Sequence, residues 1–316
     1  MKRKGGEAAS SMTGAQAVAA VAAMCPQPPG QREFGINSIP LHTMDWYNRC
    51  RPKHIHPKGA IQEHNVKAKY LAIWKDIQDL GLSDVFKNTG DINLNLVGEF
   101  YAGLAPPDTE ELVPICRRLI YFSAKAICDS LGASNVPVEP LEQFIRRPTY
   151  RELRHTLCRV GSTATWVRDK ETNHDKRFPK KKMNAEAQVW LKLINARLLP
   201  CNHDTLVSRV RTCVLYFFMI GQRVNVGHLI RHQMASMRTS KKIDRMPFPN
   251  FLTRFLQHEW VGEEPEFDHT IDQLIRQTYI TNLQLKGEAW SLIGAERNAR
   301  DDSFMAHLYG MMDLQL

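Results

Sequence analysis

Apolar residues recur at three- and four-residue spacing in segment after segment of this chain, and that period commits most of it to α-helix. The strongest case is Val207, Val210, Val214, Phe217 and Phe218, a run that Asp204 can cap and Gly221 can terminate. Apolar residues lie on most of its sides, which predicts a helix at the centre of the core rather than on its surface. Val66, Tyr70, Ile73, Trp74, Ile77 and Leu80 show the same period ahead of Gly81, and Leu94, Val97, Phe100, Tyr101 and Leu104 show it ahead of Pro106-Pro107. Ser123 offers an N-cap for a helix through Leu131, stopped by Gly132. Thr149 and Glu152 have the spacing of a capping box that opens a short helix toward Leu157. Asn184 caps a run through Trp190, Leu193, Ile194 and Leu198, closed by Pro200. Asn225 caps a helix to about Met237, and Phe248–Trp260 gives another after Pro247.

The helical period lapses between Gly161 and Met183. There Thr163–Val167 faces Lys176-Arg177-Phe178 across the polar stretch 169–175, which predicts a small β-hairpin. The first 33 residues are Ala, Gly, Ser, Pro and Gln with little to bury, the composition of a disordered arm. Residues 34–69 are irregular and basic, and the tail from His269 reads as helical with a period that weakens toward Gly287. The expected architecture is therefore mainly α: a single multi-helix globular domain of about eight helices with a small inserted β-hairpin and a disordered N-terminal arm. Its expected divisions are a basic arm over 1–60, a helical domain over 61–262 and a helical tail over 263–316.

Composition narrows the class. Of 316 residues, 43% are hydrophobic and 24% charged, which a soluble globular chain requires and a wholly disordered one lacks. No apolar run, Val214–Ile220 included, approaches the roughly 20 residues that span a bilayer, so no membrane partner is expected. Met1-Lys2-Arg3-Lys4 followed by Ala15–Met24 loosely imitates a secretory signal, but Glu7 and two glycines interrupt it. Seven dispersed cysteines without a C-x-x-C pair read as reduced thiols of an intracellular protein, in nucleus or cytoplasm.

Two stretches resemble a known family. Leu96-Val97-Gly98-Glu99-Phe100-Tyr101-Ala102-Gly103-Leu104 is similar to an E-F-Y-A-N-L helix, with Gly103 where Asn is usual, and Tyr121-Phe122-Ser123 with Ala126-Ile127 continues the pattern. Trp190, Ala196-Arg197-Leu198-Leu199-Pro200, His203, Arg211, Leu215-Tyr216, Gly221 and Val224-Asn225-Val226-Gly227 then follow in the order W, L-x-P, H, R, Y, G, N-V-G. Over roughly residues 65–260 the chain resembles the plant transposon proteins found in and around retroelement-like loci. The resemblance implies mobile-element ancestry. It transfers no catalytic residue.

The net charge of +9 is concentrated rather than spread. Lys176, Arg177, Lys180, Lys181 and Lys182 place five cations in seven residues on the expected hairpin, with Phe178 between them as a candidate stacking surface for a base. Arg146, Arg147, Arg151, Arg154 and Arg159 fall within one helix-sized segment, and arginine favours bidentate phosphate contacts. These residues form the candidate nucleic-acid site, for DNA or RNA. A solvated loop, or pairing with the acidic stretch Glu259, Glu263, Glu264, Glu266, Asp268 and Asp272, accounts for the same charges.

Catalytic signatures are missing from the sequence. It has no G-x-S-x-G elbow, no P-loop and no G-x-G-x-x-G. His228 and His232 share a helix face at i and i+4, but Leu229-Ile230-Arg231 lies between them where H-E-x-x-H needs its glutamate. Cys50 with His54 and His56, and Cys201 with His203, lack the spacing of a zinc knuckle. No catalytic residue, metal or cofactor is expected. The leading expectation is a non-enzymatic structural protein that binds nucleic acid or assembles with itself. A metal-dependent transposase, needing about three converging carboxylates, and a protein-interaction module are the alternatives.

Overall fold

A computed structural model describes residues 63–86, 92–104, 111–116, 118–171, 175–201, 205–239, 246–259, 261, 297–298 and 300–302. The expected N-terminal arm, most of the acidic stretch after Glu259 and the helix expected from His269 lie outside them. The described chain is mainly helical. Its elements are α1 (Glu63–Lys69), α2 (Leu71–Asp79), α3 (Ser83–Phe86), α4 (Leu94–Gly103), β1 (Leu112–Ile115), β2 (Arg118–Tyr121), α5 (Ala124–Ser130), α6 (Glu139–Arg146), α7 (Tyr150–Leu157), β3 (Val167–Arg168), β4 (Asp175–Pro179), a 3-10 turn (Lys180–Lys182), α8 (Ala185–Arg197), β5 (Leu206–Ser208), α9 (Arg209–Met219), α10 (Val226–Thr239) and α11 (Pro249–His258). No helix among them is long and apolar enough to cross a membrane.

Backbone contacts divide the chain into two compact units, so the single-domain organisation expected from the sequence is not confirmed. In the first unit, comprising Met1–Ile55, Asp91–Phe122 and Met234–Ile271, α4 packs against β1 on one side and α11 on another. Phe100, Phe122 and Phe255 interlock edge to face, with ring centroids 4.7 and 5.3 Å apart. The Tyr101 hydroxyl donates to the Pro247 carbonyl at 2.6 Å, and Thr253 Oγ1 accepts the Asn93 N–H at 3.0 Å. Strands β1 and β2 form an antiparallel hairpin, Leu112 opposite Tyr121 and Ile115 opposite Arg118.

The second unit comprises His56–Gly90, Ser123–Gln233 and Asp272–Leu316. Helix α9 is its hub, touching α6, α7, α8, β4 and β5. Residues 212–219 of that helix are all buried, which is the central position its apolar sequence predicts. Three expected caps form as read: Ser123 Oγ accepts the Ala126 N–H at 3.0 Å, Asn184 Oδ1 that of Ala187 at 2.8 Å, and Asn225 Oδ1 that of His228 at 2.8 Å. Two do not. Thr149 precedes α7 without a side-chain cap bond, and the Glu152 carboxylate, the other half of the expected box, accepts from the Tyr216 hydroxyl at 3.3 Å. Helix α9 starts at Arg209, not after Asp204, since Leu206–Ser208 pairs as a strand and Ser208 supplies the cap.

The hairpin between Gly161 and Met183 forms, but only Val167–Arg168 of its first arm is strand. Strand β4 lies between β3 and β5 in a three-stranded antiparallel sheet, with Arg177 opposite Val167 on one side and Ser208 on the other.

Candidate nucleic-acid interface

Strand β4 separates its cations from its aromatic ring by burial. Lys176 and Arg177 are exposed while Phe178 is fully buried. The ring of Phe178 meets buried Trp166 edge to face at 5.3 Å, and Val207 stands opposite it on the neighbouring strand. Its expected role as a stacking surface is therefore overturned: its ring has become part of the core, and a base would have to displace it. Lys176 and Arg177 therefore stand at the surface without an exposed aromatic from this strand.

Around the hairpin end, Arg168, Lys170, Lys176 and Arg177 line an open depression of about 330 Å³ that also holds Asp169 and Glu171. The Lys176 ammonium pairs with the Asp169 carboxylate, which partly neutralises this end. The 3-10 turn that follows is different. Lys181 and Lys182 are exposed there, and no acidic partner of either is found among the described ion pairs. The Lys180 N–H donates to the Thr205 carbonyl at 3.1 Å, anchoring the turn to the sheet.

The arginine segment does not form one helix. Pro148 divides it, leaving Arg146 at the end of α6 and Arg151 and Arg154 on α7. Arg146 has Glu142 at 3.8 Å on its exposed side, and its carbonyl accepts from Arg209 at 2.5 Å. The Arg154 guanidinium lies over the Tyr150 ring, 5.5 Å from its centroid. Arg147 and Arg151 are exposed.

The fold brings the end of the arginine segment and the end of the lysine turn together. Cys158 at the end of α7 bridges to Met183 just after the lysine turn, and Asn184 fastens that junction through Leu157 and Thr156 carbonyls at 2.8 and 3.0 Å. Burial pushes the Cys158 thiol pKa up, against the Ser162 hydrogen bond first and the charges of Arg154 and Lys182 after it. Residues 139–182 carry twelve Lys and Arg against six Asp and Glu, so this region holds two thirds of the net charge.

The other candidates resolve without a ligand set. His228 and His232 do share a face, their rings stacked 6.1 Å apart, and His228 Nε2 lies 3.5 Å from Glu142. Burial lowers the His228 pKa, against the pull of Glu142. No group of three His, Cys, Asp or Glu able to hold a metal ion occurs among the described residues. Glu259 closes α11, where its carbonyl accepts from Arg118 at 3.5 Å. Glu263, Glu264, Glu266, Asp268 and Asp272, like Cys50, His54, His56 and His203, lie outside the described residues.

Most of the patterned residues are structural. Trp190, Arg197 and Leu198 are buried, and Tyr216 stacks on Phe144 with ring planes 9° apart and centroids 4.8 Å apart. Asn225, beyond its cap, donates to Asn135 at 2.9 Å and to the Val136 carbonyl at 2.7 Å. Gly227 is not a turn residue. A Cβ there would stand 1.9 Å from the Ala124 carbonyl oxygen, so it is the point where α10 crosses α5.

Comparison with known families matches residues 78–261 to the model described as "Putative plant retrotransposon-related domain", over half of the chain. No curated protein and no solved structure matches it.

Proposed function

The chain belongs to the plant retrotransposon-related domain family, and from that premise we propose that it is a mobile-element-derived, non-enzymatic protein that binds nucleic acid through the surface joining α7 to the 3-10 turn. The observation that carries this reading is the bridge between Cys158 and Met183, which joins two basic segments separate in sequence into one. Arg154 lies four residues before Cys158, and Lys182 one residue before Met183. Arg147, Arg151, Arg177, Lys181 and Lys182 add exposed charge to the second unit. Cations without a stacking aromatic suit phosphates, which position a strand without reading its sequence. Phe178 stabilises the sheet that presents them and makes no contact of its own with a base.

The test is a salt titration of binding to DNA and RNA of mixed sequence. Affinity should fall with salt at a log–log slope of about −0.9 for each duplex phosphate neutralised. Changing Lys180, Lys181 and Lys182 together to Gln should weaken binding and flatten the slope by about 0.9 for each phosphate that the variant leaves without its lysine. An unchanged affinity and slope in the triple variant would sink the reading.

A further inference from the structure

Helices α6 and α7 are joined by Arg147, Pro148 and Thr149 alone. Thr149 is exposed and its backbone is extended, with φ of −74° and ψ of 99°. Its hydroxyl makes no cap bond to α7, so the oxygen that the sequence offers as a cap stays available at the surface. Arg146 and Arg147 stand three and two positions ahead of it, both exposed. No other serine or threonine of the sequence has arginine at both of those positions.

Two arginines directly ahead of an exposed hydroxyl suit a protein kinase whose substrate cleft is acidic. Such enzymes read their substrates by charge pattern, and the guanidinium fork gives a carboxylate two bonds. Arg146 is 78% exposed and has Glu142 only at 3.8 Å, a surface pair that a carboxylate of the kinase can replace. Arg147 closes α6 in non-helical backbone, φ −137° and ψ 73°, as the proline after it requires. Arg147, Pro148 and Thr149 are thus already out of helix, as a substrate lying in a cleft must be.

A phosphate on Thr149 would stand between Arg147 and Arg151, two residues away on either side. Arg209 brings a third guanidinium to the corner: its Nη2 donates to the Arg146 carbonyl at 2.5 Å, and its Nε has no acceptor among the described residues. The opposing charge in the first turn of α7 is Glu152, which is engaged by the Tyr216 hydroxyl at 3.3 Å.

We infer that Thr149 is a phosphorylation site for an arginine-directed serine/threonine kinase, and that Arg147 and Arg151 hold the phosphate. Thr149 Oγ1 attacks the γ-phosphorus of a nucleoside triphosphate. The Oγ1–P bond forms, the bond from phosphorus to the β–γ bridging oxygen breaks, and the diphosphate leaves. The hydroxyl proton passes to the catalytic aspartate of the kinase. The phosphate adds a charge of about −1.5 to −2 at pH 7, which makes the charge of the arginine segment switchable. The inference stands independently of nucleic-acid binding.

Treating the native full-length chain with Mg²⁺, ATP and a purified arginine-directed kinase tests it, with an acid-directed kinase as control and phosphopeptide mass spectrometry as the readout. The arginine-directed enzyme should modify Thr149, and Thr149→Val should abolish that product. Arg146→Gln with Arg147→Gln should lower incorporation at Thr149 by about tenfold or more, since a hydrogen bond to a charged group is worth roughly that factor. Circular dichroism checks that the variants fold. Phosphorus-31 NMR then tests the holding residues. The second ionisation of the phosphate, near pH 6 when free, should fall by about half a pH unit in the folded chain relative to the same chain in urea. Arg151→Gln, which leaves both leading arginines in place, should recover part of that difference. Modification only of unfolded chain, equal modification by the acid-directed kinase, or incorporation indifferent to Arg146 and Arg147 overturns the site. An ionisation identical in folded and unfolded chain overturns the holding role.

Discussion

The Glu99 carboxylate holds the backbone of Cys116 in place: Oε1 accepts the Cys116 N–H at 2.7 Å and Oε2 lies 3.6 Å from its thiol. Cys116 has φ of +44°, the left-handed region that costs a residue with a Cβ about 1–2 kcal/mol. It turns β1 into β2, so the glutamate of the E-F-Y-A stretch fixes a hairpin that lies outside its own helix. Glu99→Ala should lower the stability of the first unit by about 2–3 kcal/mol, the range for a buried hydrogen bond to a charged group. Glu99→Gln, which keeps a neutral acceptor, should cost about half of that. Urea unfolding followed by the fluorescence of the intact chain reads both, and an alanine variant as stable as wild type would mean that the turn holds itself.

Two glycines of the resembling pattern act by different physics. Gly221 has φ of +72° with open space around it, so Gly221→Ala should cost only the left-handed penalty of about 1 kcal/mol. Gly227 has ordinary helical backbone, and its substitution would drive a methyl into the Ala124 carbonyl and toward Cys128 Sγ at 2.9 Å. Gly227→Ala should cost about 3 kcal/mol, the top of the range for overpacking, because a backbone carbonyl cannot swing aside. Thermal melts of the two variants give the order, and a larger loss at Gly221 would contradict the crossing.

These cases show where the sequence is informative. Caps at Ser123, Asn184 and Asn225 are local, three residues from the amides they bind, and their positions were legible. Thr149 carried the same signal without forming its cap, and the Glu152 carboxylate of the expected box went to a partner 64 positions away, the Tyr216 hydroxyl. The β1–β2 hairpin was not legible: Pro114 sits inside it and its turn uses Cys116 where a glycine would have announced it. At the candidate interface the charges could be read, but the burial of Phe178 depends on Val207 and Trp166, neither of them a neighbour in sequence. The Arg297–Glu186 ion pair, between residues 111 positions apart, has no local signature at all.

Burial sorts the thiols. The Cys213 pKa is pushed up to about 12 by burial, with Arg209 pulling only weakly against it, and burial raises Cys128 and Cys158 as well. Cys201 is half-exposed. Because the thiolate is the reactive form, iodoacetamide at pH 8 should label Cys201 well before Cys128 and Cys158. Cys213 should react only on unfolding. Peptide mass spectrometry against time gives the order, and native labelling of Cys213 as fast as Cys201 would contradict a buried α9.

The Glu186 carboxyl should give the folded chain a pH signature when its arginines are removed. Burial raises its pKa above the ordinary carboxylate value, with Arg297 and Arg300 pulling against that shift. For an acid raised in the folded state, the unfolded chain ionises first as pH rises, so stability falls between the ordinary pKa and the folded one. Changing Arg297 and Arg300 to Ala removes the compensation, raises the folded pKa further and widens that window. The loss relative to wild type should be smallest at pH 4, where the carboxyl is protonated in the folded state and mostly so in the unfolded one. It should reach about 3 kcal/mol at pH 8, the lower part of the range for breaking a buried pair, since the two guanidiniums are 24% and 19% exposed. Adding Glu186→Gln to the arginine variant removes the titrating group and should flatten the difference across pH. Urea unfolding from pH 4 to pH 8 reads the curve, and a loss independent of pH would assign the effect to packing of the arginine stems instead.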